Sequence, residues 1–152
     1  MQTFPAGDDY AHRLREARER SGKSIDEMAG LLGMSWEGYN ELEEDDDEIF
    51  ESVSLRQVVT LGHALNLDLA EFFSSGPAKK RAESASLETL AEKISQYLVT
   101  EKLTVDEFEE TAGWEVRHAL TDPSRFMGFN LLGFIEVSEI VGVDWRAVLS
   151  GL

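Results

Sequence analysis

Ser24-Ile25-Asp26-Glu27-Met28-Ala29-Gly30-Leu31-Leu32-Gly33 is the stretch that decides the fold. A hydroxyl followed three residues later by Glu is the capping box that opens a helix, and a closing Gly readily takes the left-handed conformation that ends one. Met28, Leu31 and Leu32 fall at helical spacing between these signals and predict one buried face. The same pattern returns 80 residues on, in Thr104-Val105-Asp106-Glu107-Phe108-Glu109-Glu110-Thr111-Ala112-Gly113, with Phe108 and Ala112 facing inward. The spacing therefore predicts an all-α chain whose two halves follow one plan.

Around the two copies the chain reads as two units joined by a linker: a tail over 1–9, a first unit over 10–74, a linker over 75–86 and a second unit over 87–152. The first helix runs from Tyr10 to about Ser21, with Tyr10, Leu14 and Ala17 inward and Arg13, Arg15, Arg18 and Arg20 outward, and Gly22 ends it. After the capped helix, Met34-Ser35 forms a turn and a third helix starts at Ser35 with Tyr39 and Leu42 inward. A capped helix ended by Gly and followed by a second short helix has the form of a helix-turn-helix. Seven of the eight residues from Glu41 to Glu48 are acidic, and so dense a run of like charge predicts a solvated loop. Ser54-Leu55-Arg56-Gln57 is another capping box, opening a fourth helix that buries Leu55, Val58, Leu61 and Leu65. Asp68 caps a fifth, ending at Phe72-Phe73.

In the linker, Gly76-Pro77 breaks structure, and the basic Lys79-Lys80-Arg81 is read as solvated, with a phosphate-contacting tether as the alternative. The second half predicts a helix near 87–101 burying Leu87, Leu90, Ala91, Ile94 and Leu98, then the capped helix. A third helix begins near Glu115 and is cut short at Asp122-Pro123. Asn130 opens a fourth, burying Leu131, Phe134, Val137, Ile140 and Val141, and Asp144 caps a fifth. Leu65-Asn66-Leu67-Asp68-Leu69 matches Val141-Gly142-Val143-Asp144-Trp145 at an offset of 76, so one loop is shorter in the second copy.

Composition narrows the function. At 152 residues and 42% hydrophobic content the chain can fill one domain or two small ones. No apolar run is long enough to span a membrane, and Met1 to Asp9 lacks the layout of a signal peptide. With no cysteine there is no disulfide or thiolate metal site, and a soluble cytoplasmic protein is expected. The net charge is −16, from 30 acidic and 14 basic residues. Such a charge repels polyanions at long range, whereas nucleic-acid binding leaves a basic footprint. A local basic patch can still bind DNA on an acidic protein, so the local pattern decides.

Residues 10–73 resemble the cro/C1-type helix-turn-helix family of regulators. The resemblance rests on Leu14-Arg15-Glu16-Ala17-Arg18-Glu19, Ser24 through Gly33, Ser35, Tyr39 with Leu42-Glu43, Ser54-Leu55 and Ala64 through Phe73. The second half is similar to the same family chiefly through its match to the first. The resemblance implies two tandem five-helix, lambda-repressor-like units, frequent dimerisation and a third helix that reads the major groove. Several positions depart from it. Ile25 stands where the family often has Gln. The base-reading positions are Trp36, Glu37, Gly38, Asn40 and Glu41, of which only Asn40 suits base edges. Glu44, Asp45, Asp46 and Asp47 occupy the segment that would approach phosphate. In the second half the matching positions are Val105, Val116, Arg117 and His118, the last two read as a solvated pair.

Two functions from different classes follow. The resemblance implies a DNA-binding transcriptional repressor, with Arg13, Arg15, Arg18 and Arg20 on phosphates. The residues themselves favour a protein-binding module of the same scaffold, acting as regulator, antitoxin or immunity protein on a basic partner, or as a homodimer. Its face would be Ile25 and Trp36 as exposed apolar residues within a rim of Glu37, Asn40, Glu41, Glu44, Asp45, Asp46 and Asp47, an anchor-and-rim arrangement suited to a cationic protein. The same Trp36 could also fold back onto Tyr39 as ordinary packing. An enzyme is disfavoured: His12, His63 and His118 are scattered, no metal-ligand spacing or phosphate-cradling Gly loop is present, and neither cofactor nor metal is expected.

Overall fold

The computed structural model describes residues 9–73 and 85–152. The tail over 1–8 and the Lys79-Lys80-Arg81 triplet lie outside the described residues. Among the described residues every regular element is helical. The first half contains α1 (Tyr10–Arg20), α2 (Ile25–Leu32), α3 (Trp36–Leu42), α4 (Glu48–Glu51), α5 (Leu55–Ala64) and α6 (Leu69–Phe72). The second contains α7 (Leu87–Glu101), α8 (Val105–Ala112), α9 (Arg117–Thr121), a 3-10 helix (Pro123–Gly128), α10 (Leu131–Ile140) and α11 (Trp145–Ser150). Each half thus has one helical segment beyond the expected five. The additions are α4 and the 3-10 helix, each nucleated by an apolar side chain in a polar stretch. Ile49 and Phe50 are buried in α4, and Phe126 is buried in the 3-10 helix behind Pro123 at its first turn.

The caps form where the hydroxyls and carboxamides predict them. Ser24 accepts from the Glu27 amide at 3.0 Å while the Glu27 carboxylate accepts from the Ser24 amide, closing a full capping box. Ser54 and Gln57 repeat it, and the spare Gln57 amide donates to the Leu32 carbonyl at 2.8 Å, tying α5 to the end of α2. Thr104, Asn130, Asp68 and Asp144 each accept from an amide in the first turn of their helices. Ser86 caps α7 and Ala85 packs on the core, so the last two residues of the expected linker belong to the folded structure.

Backbone turns recur with the same regularity. The positive-φ residues among those described are Gly22, Gly33 and Asn66, then Lys102, Gly113 and Gly142, with φ of 69°, 66°, 53°, 56°, 79° and 73°. Lys102 and Asn66 hold a left-handed conformation at a steric cost that Gly avoids.

One apolar core runs through both halves. Tyr10, Phe50, Phe72 and Phe73 form an aromatic cluster, and Phe73 continues it to Trp145 of α11 with ring centroids 5.7 Å apart. Leu14, Met28, Leu32, Leu42, Leu61, Leu65, Ile94, Phe108, Phe134 and Val137 are buried. Leu98 and Val141 are only partly covered. Two assignments are corrected: Leu31 is 54% exposed and Ile140 is 38% exposed. On α2 the inward direction is set by Met28, Ala29 and Leu32, and at 3.6 residues per turn Leu31 lies roughly 100° from its centre.

The halves meet through α6 against α11, α5 against α10, α4 against α10, and α5 against the 3-10 helix. Ser54 and Asn130 form an isolated antiparallel bridge, beside a hydrogen bond from the Leu55 amide to the Phe129 carbonyl at 2.7 Å. The Asn130 amide side chain donates to the Glu51 carbonyl and Arg146 Nε to the Phe73 carbonyl at 2.9 Å.

Candidate functional site

The turn Gly33-Met34-Ser35 sets α2 firmly against α3. Gly33 takes the left-handed conformation with open space around it, and Ser35 caps α3 by accepting from the Gly38 amide at 3.0 Å. Leu31 just before this turn and Trp36 just after it are both exposed, Trp36 at 46%. Ile25 differs from expectation: it is half-buried and packs on the core, because the first turn of α2 rests on the body of the fold. The apolar pair of this corner is therefore Leu31 with Trp36.

Around it Asp26, Glu27, Glu37, Glu41, Glu44, Asp45, Asp46 and Asp47 are exposed, and Asn40 is half-buried. The acidic segment is more ordered than a solvated loop. Asp46 accepts from the Ala11 amide at 2.9 Å, supplying the cap that Asp9 does not give α1. Asp45 accepts from the Asp47 amide at 2.9 Å.

Glu43 is the residue that the charge run concealed. It is 3% exposed, and its carboxylate takes a two-point contact from Arg18, Nε at 2.7 Å and Nη2 at 3.0 Å. Arg18 also donates to the Lys23 carbonyl, and Arg15 donates to the Glu43 carbonyl at 3.1 Å. The Glu43 hydrogen bond raises the already high pKa of Arg18. Burial, with the Glu43 charge beside it, pushes the Tyr39 phenol well above its ordinary range. A signal existed in the sequence: Glu43 lies four residues after Tyr39, on the inward face of α3 that Tyr39 and Leu42 define.

The arginines expected on phosphates are thus placed unequally. Arg18 is corrected from an outer to an inner position, its side chain 13% exposed, because α1 turns it toward α3. Arg13 lies over the Phe72 ring at 4.8 Å. Arg13 and Arg20 share a shallow cavity of about 370 Å³ with Glu16, Asp68 and Glu71, so carboxylates surround them. Arg15 keeps about half of its side chain exposed.

At the matching corner of the second half α9 leans on α7 and the 3-10 helix. Val116 is fully buried where the first half has Trp36. Arg117 is exposed, as expected, and it also pairs with Glu109 at 2.7 Å and with Asp106. Glu109 in turn accepts from the Val116 and Arg117 amides at 2.8 and 3.1 Å, capping α9 from outside. The Arg117 hydrogen bonds hold the Glu109 carboxyl below the ordinary carboxylate range. His118 is exposed.

Among the described residues no three His, Asp or Glu side chains converge as metal ligands, and no helix is long and apolar enough to cross a membrane. Comparison with known proteins found no matching family model, curated protein or solved structure.

Proposed function

We propose that the chain is a tandem pair of helix-turn-helix units of the cro/C1 kind, a non-enzymatic regulator-type protein that acts by docking a cationic protein on the α2–α3 corner of its first unit. The observation that carries this reading is the exposure of Trp36 and Leu31 on either side of the turn, beside Glu37, Glu41, Glu44, Asp45 and Asp47, none of which forms an ion pair among the described residues. An exposed indole within a charged rim suits an anchor that is desolvated on binding while the rim steers the approach. Duplex DNA suits the corner poorly. Phosphate neutralisation supplies most non-specific affinity, and here Glu37, Glu41, Glu44, Asp45 and Asp47 would face phosphates while Arg18 is held by Glu43.

The test compares two probes on the intact chain: random-sequence duplex DNA, and a cationic amphipathic Lys/Leu peptide helix, each at low and moderate salt. The peptide should bind and weaken with salt. Trp36→Ala should reduce its affinity roughly tenfold, and Asp45→Asn with Asp47→Asn should reduce the salt dependence. Submicromolar duplex binding with a steep salt slope, unaffected by Trp36→Ala, would overturn the reading and favour a DNA-binding repressor.

A further inference from the structure

We infer that the two halves form an approximate two-fold pair closed within one chain, so that the surface of α4, α5 and α6 has as its partner the equivalent surface of the 3-10 helix, α10 and α11. This rests on the tandem reading above but not on the docking corner.

Three independent features of the backbone put the halves in register. The positive-φ residues fall into like pairs: Gly22 with Lys102, Gly33 with Gly113, Asn66 with Gly142. The caps pair at the same offsets: Ser24 with Thr104, Ser54 with Asn130, Asp68 with Asp144. The helix order then equates α4 with the 3-10 helix, α5 with α10, and α6 with α11.

In a two-fold interface, if element i touches j, then j touches i, and elements on the axis touch their own equivalents. The contacts between the halves have this form. α4 meets α10 and, reciprocally, the 3-10 helix meets α5, while α5 meets α10 and α6 meets α11 as self-equivalent pairs. Ser54 and Asn130, the equivalent caps of α5 and α10, bridge each other directly, which places the axis between them. The surface is apolar and filled: Phe73 contacts Trp145, and Leu55, Leu131 and Phe72 are buried. A second copy of the chain finds no open equivalent of this surface, because the other half already occupies it. Any pairing through this surface is accordingly supplied within the chain.

The chain contains no cysteine, so Ser54→Cys with Asn130→Cys allows only one disulfide within a chain. Directly opposed residues of an antiparallel bridge lie roughly 4.5–5.5 Å apart at Cα, inside the disulfide range. Mild oxidation of this variant should give a monomer cross-linked within the chain, seen as faster migration without reductant and loss of both free thiols. Disulfide-linked dimers, or two thiols that stay free in the folded protein, would overturn the inference. Both substitutions remove caps, so light scattering on the unaltered chain is the second arm. Its mass should hold at 17.0 kDa over a wide concentration range, and a rise toward twice that mass that persists in Trp36→Ala would overturn the inference. Neither arm involves DNA or a cationic peptide, so failure of the docking reading and failure of self-pairing are separately visible.

Discussion

Glu43→Gln tests whether the first helix has an arginine free for phosphate. The Arg18–Glu43 pair is nearly dry, with the Glu43 side chain 1% and the Arg18 side chain 13% exposed. Removing one partner of a buried pair leaves the other charge uncompensated and costs about 3–5 kcal/mol when burial is complete. Two features reduce this here. Gln retains one oxygen to accept from Arg18, and the guanidinium keeps its bond to the Lys23 carbonyl and some contact with water. A destabilisation of about 2–3 kcal/mol is therefore expected, which is a large part of the stability of a small domain. Arg18→Gln should cost a similar amount, because Glu43 then keeps only the half-exposed Arg15, whose Nε lies 3.7 Å from its carboxylate. The double change Arg18→Met with Glu43→Met removes both charges and fills similar volume, and should recover most of the loss. Urea unfolding of the four proteins, with m-values compared, measures each loss and the recovery. If Glu43→Gln unfolds within about 0.5 kcal/mol of the parent, surface-pair behaviour applies. Arg18 would then be available to a polyanion, and one argument against DNA contact would fall.

Other outcomes follow from particular contacts. Gly30 has open space where a Cβ would stand, whereas a Cβ at Gly133 would sit 2.8 Å from the Trp114 ring, which is fixed by its bond to Glu136. Thermal unfolding should show Gly30→Ala gaining up to about 1 kcal/mol and Gly133→Ala losing about 1–3 kcal/mol, and equal responses would refute the packing. Glu109 has a folded pKa below its unfolded value of about 4.3, so its contribution is present above that pH and is lost as pH falls through the folded pKa. Arg117→Gln should flatten the acid-side decline in stability, measured as midpoint against pH. Ser138 is fully buried with no hydrogen-bond partner for its hydroxyl. Ser138→Ala should therefore leave urea stability unchanged or raise it by up to about 1 kcal/mol, and a large loss would mean that the hydroxyl is engaged.

The helix ends were legible because their chemistry is local. A cap needs only its own side chain and an amide two or three residues on, so Ser24, Ser54, Thr104 and Asp144 could be read directly. The acidic segment was not legible, because its order comes from partners elsewhere. Glu43 pairs with Arg18, 25 residues away, and Asp46 caps α1 across 35 residues. Charge density hid α4 in the same way: the neighbouring carboxylates drew the reading toward solvent, whereas burial of Ile49 and Phe50 is what orders the chain there. Helical spacing places Leu31 and Ile140 inward, yet Leu31 lies off the stripe that α2 buries and Ile140 is the last residue of α10.

The two corners then differ for a reason that can be stated residue by residue. In the proposed two-fold pairing the contacts between the halves are reciprocal, and the bridge between Ser54 and Asn130 joins the caps of α5 and α10. At the corners like does not match like: Trp36 is open while Val116 is buried, and Leu31 is matched by the polar Thr111. Glu37 stands free where Arg117 binds Glu109 and Asp106. A symmetric target such as a palindromic duplex would require two equal reading faces at a fixed spacing, and these corners cannot present them. Under the proposed docking function, one apolar anchor among carboxylates would take one cationic partner per chain. Its rim interaction should weaken as the screening length falls to about 10 Å at 0.1 M salt, while indole burial persists. Affinity that declines with salt to a plateau, with the plateau removed by Trp36→Ala, is the behaviour that this arrangement requires.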